Sequence, residues 1–324
     1  MTRRLGRTSV ELTELGFGGA TISSVGEAQA SATLEAAWEY GIRYFDTAPW
    51  YGRGLSELRV GRLLRERPRD EFVLSTKIGR ILRAPASGAG PFEVVFDYTA
   101  DGIRRAFEDS LQRLGLVRID LAIVHDLDFG YHAPQARWDA MMGQLLSTGW
   151  RALDDLRRAG IIRGIGVGIN PVGMVPRFLE LFDVDFFLVA GRYTLLEQTA
   201  LEELRACTER GVGIVIGAPF NSGLLATGPA PGARYDYGEP PAEKLEAAAR
   251  LQVICQRHGV PLSAAALQFV LAHPAVASVI PGPATPEQAR ANADAINHPI
   301  PMQLWSELKE SGLVRSDAPA PTSL

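Results

Sequence analysis

Apolar residues in this chain gather into short, dense runs separated by longer stretches in which they recur every three or four positions. The runs are Leu15–Gly18, Ile42–Asp46, Glu71–Lys77, Ile119–His125, Ile161–Gly168, Asp185–Val189, Val212–Ile216 and Ala277–Ile280. They are rich in β-branched and aromatic side chains and uniformly apolar, which reads as strands of a parallel sheet covered on its outer face. Helical patterns lie between them over 27–40, 55–65, 99–114, 141–159, 197–210, 242–258, 263–272 and 286–295. Several end at a glycine suited to a helix C-cap, such as Gly41, Gly115 and Gly211. Residues 3–15 read as a small hairpin ahead of the first core strand. The alternation predicts an α/β protein, a (β/α)8 TIM barrel with an N-terminal β-hairpin and extra helices near the C-terminus. No Gly-x-Gly-x-x-Gly turn joins the first strand to a helix, which argues against a doubly wound dinucleotide fold.

Composition narrows the class without changing it. The chain has 324 residues, 46% of them hydrophobic and 22% charged, ordinary for a globular protein. A single barrel domain is expected over 1–313, with 314–324 as a mobile tail. A formal charge of −4 disfavours strong non-specific binding to nucleic acid or an anionic membrane. No apolar run approaches the roughly 20 residues that span a bilayer, and the N-terminus lacks a signal-peptide core, so a cytoplasmic location is expected. Cys207 and Cys255 sit far apart in helical patterns and read as buried free thiols. The sequence leaves the oligomeric state open. Long loops at 78–98 and 219–240 fall on the face where barrel enzymes do chemistry and are candidate substrate walls.

Three successive strands end in a polar group, at Asp46, Lys77 and His125, and Tyr51 follows in the loop after the first of these. Each has a plain structural explanation on its own: a turn cap, a strand-end charge, a satisfied core histidine, a loop aromatic. No packing requirement produces them together on one rim. Their chemistry fits proton transfer coupled to hydride transfer. A tyrosine has a reference pKa of about 10; a lysine beside it favours the phenolate, and a carboxylate holds that lysine in place. A neutral histidine then holds the reacting oxygen. His125, Asp126, Asp128 and His132 do not form a recognised metal spacing, so no metal is expected.

These residues also carry a resemblance. Leu15-Gly16-Phe17-Gly18-Gly19, Phe45-Asp46-Thr47-Ala48-Pro49-Trp50-Tyr51-Gly52, Ser75-Thr76-Lys77, Ile123-Val124-His125-Asp126, Ile165–Asn170 and Ile280–Gln288 together resemble the aldo-keto reductases over about residues 3–297. The resemblance implies a barrel that binds a nicotinamide dinucleotide across its C-terminal face. Tyr51 would be the general acid/base, Asp46 and Lys77 would tune it, and His125 would orient the substrate. For the cofactor it implies Gly19, Ala20, Thr21, Asp46, Asn170, Ala218, Phe220, Ser222, Gly282, Ala284, Gln288 and Asn292. Ala190–Leu196 and Ala218–Leu225, with His125-Asp126, look similar to the branch that contains L-fucose (D-threo-aldose 1-) dehydrogenases and pyridoxal 4-dehydrogenase. The expected reaction is oxidation of a cyclic hemiacetal to a lactone; the alternatives are pyridoxal as the substrate, giving 4-pyridoxolactone, or a general aldehyde/ketone reductase of the same family.

The chain departs from the wider family pattern in ways that sharpen the expectations. Of the usual serine–asparagine pair after strand five only Asn170 is present. The usual glutamine falls at Ala190 and the stacking aromatic near Gly217, leaving Phe220, Tyr193 and Arg192 as replacements. The positions that carry a cation in NADP-preferring relatives are Gly282, Ala284 and Gln288 here, and Arg290 is the only cation nearby. NAD is therefore expected over NADP. Substrate contacts are expected from Trp50, Tyr51, Tyr98, His125, Asp126 and Arg192, with Trp305 closing the pocket from above.

Overall fold

The computed structural model describes residues 1–322. The chain opens with an antiparallel pair, β1 (Thr2–Arg4) and β2 (Glu11–Thr13). Strands β3 (Phe17–Gly18), β4 (Tyr44–Asp46) and β5 (Val73–Ile78) follow. After an inserted hairpin of β6 (Arg80–Arg83) and β7 (Glu93–Phe96) come β8 (Leu121–His125), β9 (Gly164–Ile169), β10 (Phe186–Ala190), β11 (Gly213–Gly217) and β12 (Val276–Ile280). β3–β5 and β8–β12 form one parallel sheet of eight strands in chain order. The sheet closes on itself where Gly16 N–H donates to the Val279 carbonyl at 2.9 Å and Val279 N–H donates to Glu14 at 2.8 Å. Closure leaves no sheet edge. The strands are too short and apolar to stand alone; the helices outside supply their second buried face.

The outer helices are α1 (Glu27–Glu39), α2 (Leu55–Leu64), α3 (Ala100–Leu114), α4 (Phe129–His132), α5 (Gln135–Gln144), α6 (Trp150–Arg158) and α7 (Met174–Leu181). They continue with α8 (Leu201–Glu209), α9 (Leu224–Thr227), α10 (Ala242–Arg257), α11 (Leu262–Leu271), α12 (Pro286–Ile296) and α13 (Met302–Glu310). One apolar core lies between these helices and the strands. A second fills the barrel itself, where Tyr44, Leu121, Phe186 and Val215 meet Leu5, Val10 and Leu12 of the N-terminal hairpin. The hairpin is thus a plug in the floor of the barrel. Fully burying a side chain of that size contributes about 1.5–3 kcal/mol, reason enough to spend the first turns of the chain there.

Four features differ from the sequence expectations. The predicted helix over 141–159 begins earlier, at Gln135, and is interrupted by a π-helical segment at Leu145–Gly149. The interruption lets Gly149 sit where any Cβ would lie 2.0 Å from the Tyr98 carbonyl oxygen. Helix α7 was not expected, its pattern being masked by Pro176 in the first turn, a position proline tolerates. The long loop at 78–98 contains the β6–β7 hairpin, in which Ile81 pairs with Val95. After Leu313, where a mobile tail was expected, Val314 and Ala318 are buried. Arg315 there pairs with Glu202 at 2.7 Å, and Arg205 of α8 pairs with Asp317 at 2.9 Å. Cys207 and Cys255 are free and buried, and burial pushes both thiols up to about 12. No helix among the described residues is long and apolar enough to cross a membrane.

Candidate active site

Neighbouring strands deliver their last polar residues to one place. β4 runs out at Asp46, β5 carries Lys77 one residue before its end, and β8 ends at His125. The Lys77 ammonium donates to both Asp46 oxygens, at 2.7 and 2.6 Å, and to the Thr47 carbonyl at 3.0 Å. Ser75 donates a further bond to Asp46 at 2.6 Å and is itself 3.0 Å from the Tyr44 hydroxyl. Asp46 and Lys77 are each only 2% exposed, a depth at which two charges persist only as a fully bonded pair. All three ammonium protons are therefore spoken for.

Tyr51 stands over this pair. The Lys77 nitrogen is 5.4 Å from its ring centre, and the His125 ring meets it edge-on at 6.0 Å and 89°. Burial, then the charges of Asp46 and Asp126, hold the Tyr51 hydroxyl well above the usual tyrosine range, with Arg80 opposing. The expected pull of Lys77 toward the phenolate is opposed by its partner Asp46, whose charge raises the hydroxyl. Tyr51 rests as a neutral phenol. His125 is neutral too: burial, then Arg80 and Lys77, hold it well below its ordinary value. Its Nε2 lies 3.2 Å from Asp126 Oδ2, while its Nδ1 is buried without a partner among the described residues.

The residues expected to touch substrate separate on inspection. Trp50 is 38% exposed beside Tyr51, as a wall of the mouth. Asp126 is buried, is bonded by Arg80, and titrates at about 6 because burial outweighs that arginine. Tyr98 does not face the mouth. It is fully buried, and its hydroxyl donates to the His125 carbonyl at 2.7 Å and meets His132 Nε2 at 3.2 Å, bracing the histidine from behind. Arg192 is tied to Asp236 at 2.8 and 3.1 Å. Tyr193 is buried against Phe269, ring centres 5.3 Å apart, and cannot replace a stacking aromatic. Trp305 lies buried near Phe269 in the outer layer, not over the mouth. No metal-holding cluster occurs among the described residues.

Sequence reasoning missed three residues here. Arg80 is a buried arginine that opens the inserted hairpin, Tyr131 lies on α4, and Tyr237 stands on the loop after α9, most of its surface exposed. The one available signal was for Arg80, a charge three residues beyond Lys77.

The remaining candidates line the other side of the rim. Gly19 N–H donates to the Asp46 carbonyl at 2.8 Å; Ala20 is exposed and Thr21 half-buried. A Cβ on Gly282 would sit 2.5 Å from Thr21 Oγ1, so the loops after β3 and β12 touch. After β11, Ala218, Asn221 and Ser222 all have positive φ, at 49°, 46° and 59°. Three strained non-glycine residues within five are the kind of loop that turns backbone N–H groups toward an anion. Phe220 is half-buried between them, and Ser222 Oγ accepts from Tyr237 N–H at 2.9 Å. Asn170 lies half-buried in the loop after β9. Along α12, Gln288 Oε1 accepts from Ala284 N–H at 2.7 Å, Thr285 caps the helix, and Asn292 is buried. This rim fits an extended dinucleotide, with strained loop amides and a helix N-terminus for its phosphates.

A closed parallel barrel thus carries Asp46, Lys77, Tyr51 and His125 together at its C-terminal rim. The chain belongs to the aldo/keto reductase family, whose model matches residues 14–312. It is 42% identical to a pyridoxal 4-dehydrogenase from Microbacterium luteolum over 96% of this chain and 97% of that protein. It is 43% identical to a D-threo-aldose 1-dehydrogenase from a Pseudomonas species over 93% of this chain and 94% of the relative. Among solved structures, an aldo-keto reductase from Bacillus halodurans in its holo form superposes with a TM-score of 0.75 at 26% identity, covering 98% of this chain and 97% of that one. The family works with nicotinamide cofactors on small molecules carrying carbonyl or hydroxyl groups.

Proposed function

We propose that the protein is an NAD-dependent dehydrogenase that oxidises an aldose hemiacetal of the L-fucose or D-threo-aldose type to its lactone. Asp46, Tyr51, Lys77 and His125 form the catalytic group. The nicotinamide, when bound, supplies a hydride acceptor and a positive charge close to Tyr51. Tyr51 takes the proton from the anomeric hydroxyl as its carbon gives up hydride. His125, neutral and protonated on Nε2, donates a hydrogen bond to the reacting oxygen and fixes its orientation. Asp46 holds Lys77, and Lys77 keeps positive charge under the tyrosine ring. Gly19, Ala20, Thr21, Asn170, Ala218, Phe220, Ser222, Gly282, Ala284, Gln288 and Asn292 hold the cofactor. Trp50 and Asp126 are the substrate contacts.

The observation that carries the reading is the combination of that group with a buried carboxylate, Asp126, beside the orienting histidine. An acceptor there suits a polyhydroxylated substrate. The preference for NAD rests on α12. Gln288 is committed to the Ala284 backbone, Glu287 adds negative charge in the first turn, and Arg290 is 3.6 Å from Asp294 on the solvent side. A 2′-phosphate would meet no free cation among them. A second reading, oxidation of the pyridoxal hemiacetal to its lactone, is favoured by the exposed aromatic faces of Trp50, Tyr131 and Tyr237, which suit a flat ring.

The test is turnover of purified protein with NAD or NADP over a panel of free aldoses plus pyridoxal. Oxidation of one stereochemical set of sugars with NAD, about tenfold or more faster than with NADP, is the expected result. Turnover of pyridoxal alone selects the second reading. No turnover of any member with either cofactor rejects both.

A further inference from the structure

The side chain that links the substrate face of the site to the rest of the barrel is Arg80. It is 2% exposed, and among the described residues its one hydrogen-bond acceptor is Asp126. Its Nε–H is buried with no partner. Three aromatic rings surround the guanidinium: Tyr131 of α4 at 4.4 Å, Trp50 of the loop after β4 at 5.0 Å, and Phe96 of β7 at 5.1 Å. These rings come from three separate segments. An arginine buried this deeply is costly unless its charge is matched, and the match here is a carboxylate on the substrate side. Asp126 in turn lies 3.2 Å from His125 Nε2. Oxygens on adjacent carbons of a sugar ring are spaced about as widely as two hydrogen-bonded atoms, near 2.9 Å. If His125 holds the reacting oxygen, Asp126 is placed for the oxygen on the next carbon.

We propose that Arg80 is a positioning residue that determines specificity: it aims Asp126, and gathers Trp50, Phe96 and Tyr131 around it, so that Asp126 accepts a hydroxyl on the carbon next to the reacting one. This rests on the reading of the site as a hemiacetal dehydrogenase. Asp126 accepts that hydroxyl hydrogen bond most strongly when ionised, as a charge-assisted bond. The charged and titratable groups facing it are Arg80, Lys77, His125, Asp128, Tyr51, Tyr98 and Tyr237. Arg80 is the strongest of those that favour its ionised form. Loss of Arg80 therefore weakens recognition of the vicinal hydroxyl and moves the acid limit of activity upward from about 6. Lysine is not an equivalent replacement: it keeps a point charge but not the flat face that stacks on three rings.

The test compares kcat/KM for L-fucose and 2-deoxy-L-fucose, with NAD, across pH in wild type, Arg80→Gln and Arg80→Lys. Wild type is expected to favour L-fucose by about tenfold or more, the size of one charge-assisted hydrogen bond. In Arg80→Gln the value for L-fucose falls about tenfold while that for the deoxy sugar changes by less than about threefold, and the acid limb moves up. Arg80→Lys keeps the acid limb and only part of the preference, and carries the comparison if the glutamine variant melts early. An equal fall for both sugars, or an unchanged ratio, assigns Arg80 a structural role and overturns the proposal. Wild type that oxidises neither sugar rejects the reading as an L-fucose-type aldose dehydrogenase, and this inference falls with it.

Discussion

At the scale of the residue, the site is a matter of which charges are already spent. Lys77 is saturated by Asp46 and Thr47, so it cannot by itself make Tyr51 a base. Tyr51 is held well above the usual range, first by burial and then by Asp46 and Asp126. A neutral phenol is ready to give a proton, which serves reduction; oxidation needs the phenolate. Because ionisation is pushed to high pH, the phenolate fraction grows through the neutral and alkaline range. Oxidation is therefore expected to accelerate steadily from pH about 7 to about 9.5 while carbonyl reduction does not, measured as initial rates in both directions. A flat oxidation profile over that range would remove Tyr51 from the base role. The sequence made the gathering of these four residues legible, because each lies at or just after the end of a strand. It did not make their ionisation legible: that depends on bonds such as Ser75 to Asp46, which spacing along a chain does not reveal.

At the scale of the element, what positions the site is mostly irregular. The π-helical segment at Leu145–Gly149 brings Gly149 onto Tyr98, whose N–H donates to Gln144 Oε1 at 3.0 Å and whose hydroxyl supports the His125 carbonyl. Gly79, with φ of +92°, turns the chain from β5 into the β6–β7 hairpin, and a Cβ there would lie 2.2 Å from the Tyr98 ring. Gly79→Ala is therefore expected to destabilise the fold by about 1–3 kcal/mol and to lower kcat/KM further than the loss of folded protein explains. Denaturant unfolding alongside kinetics measures both; an alanine variant as stable and active as wild type would show that the turn relaxes freely. The eight strands were legible because each is a short apolar run with a polar tip. The hairpin was hidden in a long loop, α7 behind Pro176 and the π segment inside a continuous helical pattern, since all three are set by tertiary contacts that override local pattern. Tyr98 was misplaced for the same reason: loop membership predicts a route over the surface, not which side a side chain faces.

At the scale of the whole molecule, the barrel divides its rim. The loops after β3, β11 and β12 form the side proposed for the dinucleotide, and the loops after β4, β5 and β8 form the substrate side, with the Asp46–Lys77 pair under Tyr51 between them. Closure of the sheet between Gly16 and Val279 joins the first and last strands, so that Thr21 and Gly282 meet across the seam. Both sides of the seam were readable as separate motifs; their contact needed the closed barrel. The most direct test of the proposed reaction follows the hydrogen itself. L-Fucose carrying deuterium on its anomeric carbon is incubated with NAD and either wild type or Tyr51→Phe, and the label and the sugar product are followed by mass spectrometry. The expected result is deuterium in the reduced nicotinamide and a sugar lactone from wild type, with both lost by about a hundredfold or more in Tyr51→Phe while NAD binding and melting persist. Label retained in the sugar while reduced nicotinamide forms, or a phenylalanine variant as active as wild type, would contradict it.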